Sequence, residues 1–220
     1  MKLLLINSTD KNAFAALSEN GNTKVVFASE FSDTTIKPGK APDKLIHCLD
    51  KLSVENNFEN IEAIAVAAGP GSFTGIRVGL SLAKGLAFGL EKKLIPINNF
   101  ELTFARLNEI QTDLKYCIII EAKLPEYYFA VYQNGEITPK GSDTLENLIK
   151  TLQNDTIIVG DFDDETQLKH CYFEYINVKN LKNEADSFGS LAEEKFKCGE
   201  LVDSAKAEPL YLKDFNFKKV

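Results

Sequence analysis

The chain has 220 residues, and 44% of them are hydrophobic, which is enough for one large or two small domains with a buried core. The formal net charge of −7 argues against binding of nucleic acid by the chain alone, because that needs a basic surface. The apolar run that follows Met1 is too short for a signal peptide or a membrane span, so we expect a cytoplasmic protein with no membrane partner.

The first hundred residues predict the order strand, strand, strand, helix, strand, helix. The turn Asn20-Gly21-Asn22 is a strong hairpin signal between the second and third strands. A helix is predicted from Pro42, because apolar residues follow it at helical spacing. The other predicted elements are Leu3–Asn7, Ala13–Ser18, Thr23–Ser29, Ala63–Ala68, Ile76–Gly89 and Leu94–Ile97.

The second half of the chain repeats this order after a connector helix, Leu102–Ile110. Asn134-Gly135 predicts a second hairpin, and a further strand is expected around Phe173–Val178. We therefore predict two copies of one βββαβα unit in an α/β fold. The predicted elements are Tyr116–Glu121, Tyr127–Tyr132, Glu136–Pro139, a helix Leu145–Leu152, Thr156–Gly160 and a final helix Ala185–Cys198.

A glycine-rich loop joins the strand at Ala63–Ala68 to the helix at Ile76–Gly89. Its characteristic residues are Gly69, Pro70, Gly71, Ser72, Thr74 and Gly75. Ser72 and Thr74 are placed to cap the helix that follows. Glycines at such a junction let one backbone approach another closely, and this structural role is favoured over nucleotide binding.

Two nucleotide-binding alternatives fit the glycine loop less well. A Walker A loop needs a lysine directly after its last glycine, whereas Ile76 follows Gly75 and the nearest lysine is Lys84. A dinucleotide fingerprint needs correctly spaced glycines and an acidic residue after the next strand. Here the third glycine comes one residue late, and Asn98-Asn99 follow that strand.

The helix after the loop is apolar on more than one side, which predicts that both sides are covered. We place Gly75, Gly79, Leu82 and Leu86 against the sheet. The opposite arc should be polar but carries mostly apolar residues and includes Phe88. Either the chain itself or another subunit covers it, and we expect another subunit. The predicted partner-binding residues are Arg77, Leu80, Ala83, Lys84 and Ala87.

The remaining polar residues do not assemble a convincing catalytic or metal site. His47 lies in the first predicted helix, where a lone histidine is more often structural than catalytic, and His170 lies in a polar loop. A Cys-His pair is numerically possible, but no spacing in the sequence supports it. The acidic run that contains Asp161, Asp163, Asp164 and Glu165 is better explained as a solvated loop than as a cation site. Four scattered cysteines, Cys48, Cys117, Cys171 and Cys198, have no zinc-ligand spacing and are expected to be reduced thiols.

The run Gly69–Gly79, followed by Ala83-Lys84-Gly85-Leu86-Ala87, strongly resembles the bacterial TsaB (YeaZ) family. The resemblance extends to Gly160-Asp161 and to Pro209-Leu210-Tyr211-Leu212-Lys213. It implies two ribonuclease-H-like lobes of the actin, sugar-kinase and Hsp70 (ASKHA) type. We expect residues 1–100 to form the lobe with the glycine loop and the dimerisation helices, and residues 101–220 to form the lobe with the connector helix.

The resemblance also implies a role in forming N6-threonylcarbamoyladenosine at position 37 of tRNAs that read ANN codons. The chain would be a non-catalytic subunit without a cofactor that assembles with a TsaD-like catalytic subunit and a TsaE-like ATPase. It would reach tRNA only through that complex, and a homodimer is possible when it is alone. The alternatives are a small-molecule kinase or a peptidase of the same fold.

The chain departs from the family pattern at three places, and the departures favour a scaffold over an enzyme. Asn7 stands where the family has aspartate, which in kinases of this fold serves the metal-bound nucleotide. Ala41-Pro42 replaces a His-Ser pair, and Glu121-Ala122-Lys123 replaces Asp-Ala-Arg. Lysine keeps the charge of arginine but lacks its two-pronged geometry.

Overall fold

The computed structural model describes residues 1–9, 13–31, 41–107, 109–122, 125–162, 165–169, 172–181 and 183–212. The described chain forms two five-stranded sheets with helices on their faces. The strands are β1 Lys2–Asn7, β2 Phe14–Glu19, β3 Asn22–Phe27, β4 Ala63–Ala67, β5 Lys93–Ile97, β6 Lys115–Glu121, β7 Glu126–Gln133, β8 Glu136–Thr144, β9 Thr156–Gly160 and β10 Tyr175–Asn177. The helices are α1 Ala41–Glu55, α2 Phe73–Gly89, α3 Asn99–Phe104, α4 Leu145–Thr151, α5 Thr166–Lys169 and α6 Glu184–Lys197.

The two sheets have the same topology, which confirms the predicted repeat. The first sheet has the strand order β3-β2-β1-β4-β5, and the second has the corresponding order β8-β7-β6-β9-β10. In each sheet the first three strands of the repeat pair antiparallel, and the next two are parallel to the central strand. Asn20 and Gly21 have φ values of 52° and 83°, as the predicted hairpin turn requires.

β8 is nine residues long, so the prediction of a short strand that ends at Pro139 is wrong. Proline lacks a backbone N–H and normally ends a central strand, but it is tolerated at a sheet edge or beside a bulge. β8 is the edge strand, and Pro139 pairs with Ala130 where the register between β7 and β8 shifts. The strand therefore continues past the proline to Thr144.

The first sheet is covered on both faces. Successive side chains of its strands point to opposite faces, and both sets are apolar. One face, which includes Leu4 and Val66, packs against α1 and α2. The other face, which includes Leu5 and Ala65, packs against α3 and α6. Both sets are buried, so β4 is apolar at every position and β1 is apolar from Leu3 to Ile6, and not only at every second position.

The last helix returns to the first sheet, although it follows the second repeat in the chain. α6 lies across β1, β2, β3 and β5, and Phe188 packs edge-on against Phe14 with ring centroids 6.2 Å apart. A carboxylate oxygen of Glu193 accepts a hydrogen bond from the Gly21 backbone N–H at 3.1 Å. The second half of the chain therefore contributes a layer to the first lobe.

α3 lies between the two sheets and contacts both. Leu102 belongs to the core of the first sheet, whereas Phe100 and Phe104 belong to the core of the second. The helix begins at Asn99 and ends at Phe104, so the predicted range Leu102–Ile110 is displaced toward the C-terminus. A capping box of Asn98 and Glu101 explains the earlier start, because it satisfies the first backbone N–H groups of the helix.

The described cysteines have no disulfide partner. Cys48 and Cys117 are buried in the two cores, and burial raises the pKa of their thiols to about 11 and about 12 respectively. Cys198 is exposed, and Cys171 lies outside the described residues. No helix in the described part of the chain is long and apolar enough to cross a membrane.

Candidate functional site

The glycine loop is held between three segments of the chain. Its first residue, Gly69, has a φ of +101°, and a Cβ there would lie 3.0 Å from the carbonyl oxygen of Leu210. The carbonyl of Gly69 accepts a hydrogen bond from the backbone N–H of Asn99 at 2.8 Å. The carbonyl of the preceding residue, Ala68, accepts a hydrogen bond from the Leu210 N–H at 2.8 Å. Glycine is needed at position 69 for both its left-handed backbone and its close neighbours.

The N-terminal half of α2 lies directly against the end of β1. A Cβ on Gly75 would be 1.8 Å from the carbonyl oxygen of Ser8, and one on Gly79 would be 2.4 Å from the Ser8 hydroxyl oxygen. The Ser8 hydroxyl donates to the Gly75 carbonyl at 2.7 Å, and the Ser72 N–H donates to the Thr9 carbonyl at 2.7 Å. The prediction that Gly75 and Gly79 face the sheet is therefore confirmed.

One of the two predicted caps starts α2. Ser72 is the N-cap residue, and its hydroxyl accepts a hydrogen bond from the Gly75 N–H at 3.2 Å. Thr74 lies inside the first turn and is exposed, so its prediction as a cap is wrong. A cap must precede the first helical residue, and α2 begins at Phe73, three residues earlier than predicted.

A buried network of polar side chains ties the end of β1 to α3 and α6. The Asn7 side-chain oxygen accepts from the Thr9 N–H at 2.9 Å and from the Thr9 hydroxyl at 2.7 Å, and its amide donates to Glu184 at 2.5 Å. The Asn99 amide donates to the Thr9 hydroxyl oxygen at 2.7 Å and to the Pro70 carbonyl at 2.8 Å.

Asn7, Ser8 and Thr9 are all buried by the chain itself. The turn after β1 is therefore filled by the glycine loop, the start of α2, and the side chains of Asn99 and Glu184. Sequence analysis did not identify Asn99 as part of this site. Its position directly after β5, beside the helix-capping Asn98, is the signal that could have located it at the edge of the sheet.

Removing the Asn99 side chain should destabilise the protein without unfolding it. Asn99→Ala leaves the Pro70 carbonyl buried without its donor, and an unsatisfied buried polar group costs about 1–3 kcal/mol. Urea denaturation of the purified chain measures this loss. Asn60→Ala, at an exposed position, is the control and should change stability by less than about 0.5 kcal/mol. Equal stability of the two variants would contradict the described network.

The predicted partner-binding arc of α2 is partly wrong. Leu80, Ala83 and Ala87 are buried in the core between α2, α1 and the first sheet, so they face the chain itself. Leu82 and Leu86, which were placed against the sheet, are only half-buried at the margin of that core. Both arcs carry leucine and small residues, so the hydrophobic pattern did not distinguish them.

The exposed side of α2 carries Arg77, Ser81, Gly85 and Phe88, which we call the outer face. These residues recur at helical spacing, and the half-buried Lys84 lies beside them. Phe88 is 81% exposed. On the neighbouring helix α1, Val54 is 84% exposed. Phe88 is the large apolar side chain that a partner could cover on the outer face. Of the five predicted partner-binding residues, Arg77 and Lys84 remain available to a partner.

The polar residues of the second lobe have structural partners. The carboxylate of Asp161, at the end of β9, accepts from the buried guanidinium of Arg106 at 2.7 Å. The Asn177 amide and the Tyr175 hydroxyl donate to the Glu165 carboxylate and hold its pKa below the ordinary value. Among the described residues, no group of three His, Cys, Asp or Glu side chains could hold a metal ion.

Two of the acidic residues singled out in the sequence, Asp163 and Asp164, lie outside the described residues, as do His170 and Lys123. His47 lies on α1 with its ring 5.7 Å from that of Phe31. This aromatic contact is a packing role, as expected for a lone histidine on a helix.

The fold defines the class of this protein. Two ribonuclease-H-like lobes with the same strand order, joined through a helix that contacts both sheets, are the architecture of actin, the sugar kinases and Hsp70. The crystal structure of an uncharacterized Pseudomonas aeruginosa protein with similarity to peptidase YeaZ has the same fold. It superimposes with a TM-score of 0.73 at 22% sequence identity and covers 96% of this chain and 99% of that one.

A model of the family described as tRNA N6-adenosine threonylcarbamoyltransferase (TsaD) matches residues 42–159, which is more than half of the chain. The chain belongs to this family and, within it, to the TsaB (YeaZ) proteins.

Two curated relatives carry the name tRNA threonylcarbamoyladenosine biosynthesis protein TsaB. The protein from Haemophilus influenzae is 34% identical over 127 residues, which are 51% of this chain and 54% of that protein. The protein from Escherichia coli is 25% identical over 138 residues, which are 62% of this chain and 57% of that protein. The chain spans about half the length of the curated relatives that it matches.

Proposed function

We propose that this chain takes part in the biosynthesis of N6-threonylcarbamoyladenosine in tRNA as a non-catalytic subunit. It assembles with a TsaD-like catalytic subunit and a TsaE-like ATPase, and it activates the transfer to adenosine 37 of tRNAs that read ANN codons. tRNA is bound mainly by the other subunits. The observation that carries this proposal is the similarity to proteins named for this pathway, together with a family match over residues 42–159, which include the glycine loop and α2.

The geometry of the turn after β1 supports a non-catalytic role. In kinases of this fold an aspartate at this turn serves the metal-bound nucleotide, and here its place is taken by Asn7. Asn7 bridges Thr9 and Glu184 by hydrogen bonds, and the Ser8 carbonyl faces the backbone of Gly75. In the described part of this turn, the backbone of α2 therefore occupies the space beside Ser8.

The outer face of α2 supports a role in assembly. It places an exposed aromatic ring, Phe88, on the same side of a helix as an exposed cation, Arg77. Aromatic residues and arginine are the side chains most enriched at the energetic centres of protein interfaces. We assign this surface to contact with the TsaD-like subunit.

Reconstitution tests the proposal. The chain is mixed with the catalytic and ATPase subunits of the same organism, threonylcarbamoyl-adenylate and tRNA, and the modified nucleoside is measured by mass spectrometry. We expect formation to fall to background when this chain is omitted, because the catalytic subunit lacks its activating partner. The purified chain alone should hydrolyse ATP no faster than a buffer control.

Two results would contradict this function. Modification at an unchanged rate without the chain would remove its role as an activating subunit. ATP turnover by the chain alone that survives stringent purification would favour a kinase-like enzyme.

Binding of tRNA by the chain alone should be weak at about 150 mM salt, because its net charge of −7 offers few cations to replace phosphate counterions.

A further inference from the structure

Arg77 is held in a fixed position on the outer face of α2. Its guanidinium carbon lies 3.8 Å from the centroid of the Phe73 ring. Its Nε donates a hydrogen bond to the hydroxyl of Tyr211 at 3.2 Å. The rings of Phe73 and Tyr211 themselves pack with centroids 5.0 Å apart. Cation–π and hydrogen-bond contacts thus fix the guanidinium from two sides.

Tyr211 can hold Arg77 because its own segment is anchored on the glycine loop. The preceding residue, Leu210, donates its N–H to the Ala68 carbonyl at 2.8 Å, and its carbonyl oxygen lies next to Gly69. Ala207 is buried in the core beneath α2. Residues 207–212 contain the Pro-Leu-Tyr-Leu motif, and we call them the strap. These contacts anchor the strap to the glycine loop and to the start of α2.

The positive charge of Arg77 is available to an acidic group from another molecule. Among the described residues Arg77 forms no ion pair, whereas other basic side chains such as Arg106, Lys93 and Lys195 do. The contact with Tyr211 uses Nε and leaves the terminal Nη groups as further donors. An arginine whose side chain is already ordered loses less conformational entropy when it binds. Such a guanidinium matches the two oxygens of a carboxylate.

We propose that Arg77 binds a carboxylate side chain of the TsaD-like subunit, and that Phe73 and Tyr211 position it for this contact. The inference rests on the proposed function. Arg77 and Phe88 are eleven residues apart on one helix, so about 16 Å at 1.5 Å per residue separates them along the axis. The partner surface therefore presents an acidic side chain about that distance from an apolar pocket.

A protein carboxylate is favoured over an RNA phosphate by the surroundings of Arg77. A phosphate-binding surface groups several exposed cations. The outer face has one exposed cation, Arg77, with the half-buried Lys84 beside it, and its other residues are the exposed Phe88 and the small Ser81 and Gly85. The chain as a whole is acidic, with a net charge of −7. An apolar contact with one charged pair at its border is typical of a protein interface.

Binding measurements with purified TsaD-like subunit test the proposal. The dissociation constant is measured for the wild type, Arg77→Gln, Arg77→Lys and Tyr211→Phe at about 50 and 300 mM salt, a range over which exposed charge pairs are increasingly screened. Lys140→Gln is the matched control, since it removes the same charge from exposed β8. We expect Arg77→Gln to weaken binding by about 10–100-fold and to remove most of the salt dependence.

The other two variants separate position from charge. Arg77→Lys should restore only part of the affinity, because lysine cannot make the two-pronged contact. Tyr211→Phe keeps its own ring and the charge of Arg77 but removes the hydroxyl acceptor, so we expect a several-fold higher dissociation constant. The melting temperatures of all four variants should equal that of the wild type, because the changed atoms are at the surface.

Each contrary outcome overturns a defined statement. If the wild type fails to bind the TsaD-like subunit, both the proposed function and this contact are wrong. If the wild type binds and Arg77→Gln behaves like Lys140→Gln, the contact is wrong while the assembly role stands. A Tyr211→Phe variant with the dissociation constant of the wild type would overturn the positioning role of Tyr211. Loss of tRNA binding by Arg77→Gln in the absence of the partner would assign Arg77 to phosphate instead.

Discussion

Gly75→Ala should destabilise the isolated protein by about 3 kcal/mol or more, because the added methyl group meets backbone that cannot move away. The new Cβ would lie 1.8 Å from the carbonyl oxygen of Ser8 and 2.9 Å from its carbonyl carbon. Ser8 is fixed by the end of β1 and by its own hydrogen bond to the Gly75 carbonyl. Urea denaturation followed by circular dichroism measures the free energy of unfolding.

Gly85→Ala provides the matched control in the same helix. A Cβ on Gly85 meets no atom within 4 Å, so the substitution changes only helix propensity. It should stabilise the protein by about 0.5–1 kcal/mol, which is the cost of glycine relative to alanine within a helix. If Gly75→Ala were as stable as Gly85→Ala, α2 could not pass against β1 as the structure describes.

Local signals were sufficient to predict most of the fold. Asn-Gly turns at 20–21 and 134–135 fixed the two hairpins, and short apolar runs located the parallel strands. The repeated element order then predicted two sheets of the same topology. These features depend on a few neighbouring residues, so the sequence pattern carries them directly.

The errors in the predicted fold come from contacts that are distant in the chain. Pro139 does not end β8, because its strand lies at a sheet edge where the missing N–H has no ladder partner. α6 follows the second repeat but packs on the first sheet. A local sequence pattern does not predict which sheet a helix will pack against. The division of the chain near residue 100 remains a prediction.

The candidate site was only partly predictable for the same reason. The glycine loop and its cap at Ser72 were identified from spacing alone. Asn99 contacts Pro70 of this loop from 29 residues away through its side-chain amide. Tyr211, on the anchored strap, contacts Arg77 of α2 from 134 residues away. The position of Asn99 after β5 indicates the edge of the sheet, but local spacing does not show which groups either side chain contacts. Leu80 was placed on the wrong face because α2 is apolar on two sides.

Leu80→Lys and Ser81→Lys should have opposite consequences, although the positions are adjacent. Leu80 is 5% exposed in the core beneath α2, so lysine there removes a buried apolar side chain and places an ammonium in an apolar environment. The combined cost should be at least about 4 kcal/mol, a large share of the 5–15 kcal/mol that stabilises a typical domain. We expect a largely unfolded or strongly destabilised protein by thermal melting.

Ser81→Lys should leave the fold intact and weaken assembly. Ser81 is exposed on the outer face, where a substitution changes stability by less than about 0.5 kcal/mol. In the complex it would place a bulky charged chain between two packed surfaces, and a loss of about 3 kcal/mol corresponds to more than a hundredfold in affinity. Size-exclusion chromatography with the TsaD-like subunit separates the two effects. A fully stable Leu80→Lys protein would contradict the burial of Leu80 beneath α2. A Ser81→Lys protein that binds like the wild type would show that the outer face of α2 is not the partner-binding surface.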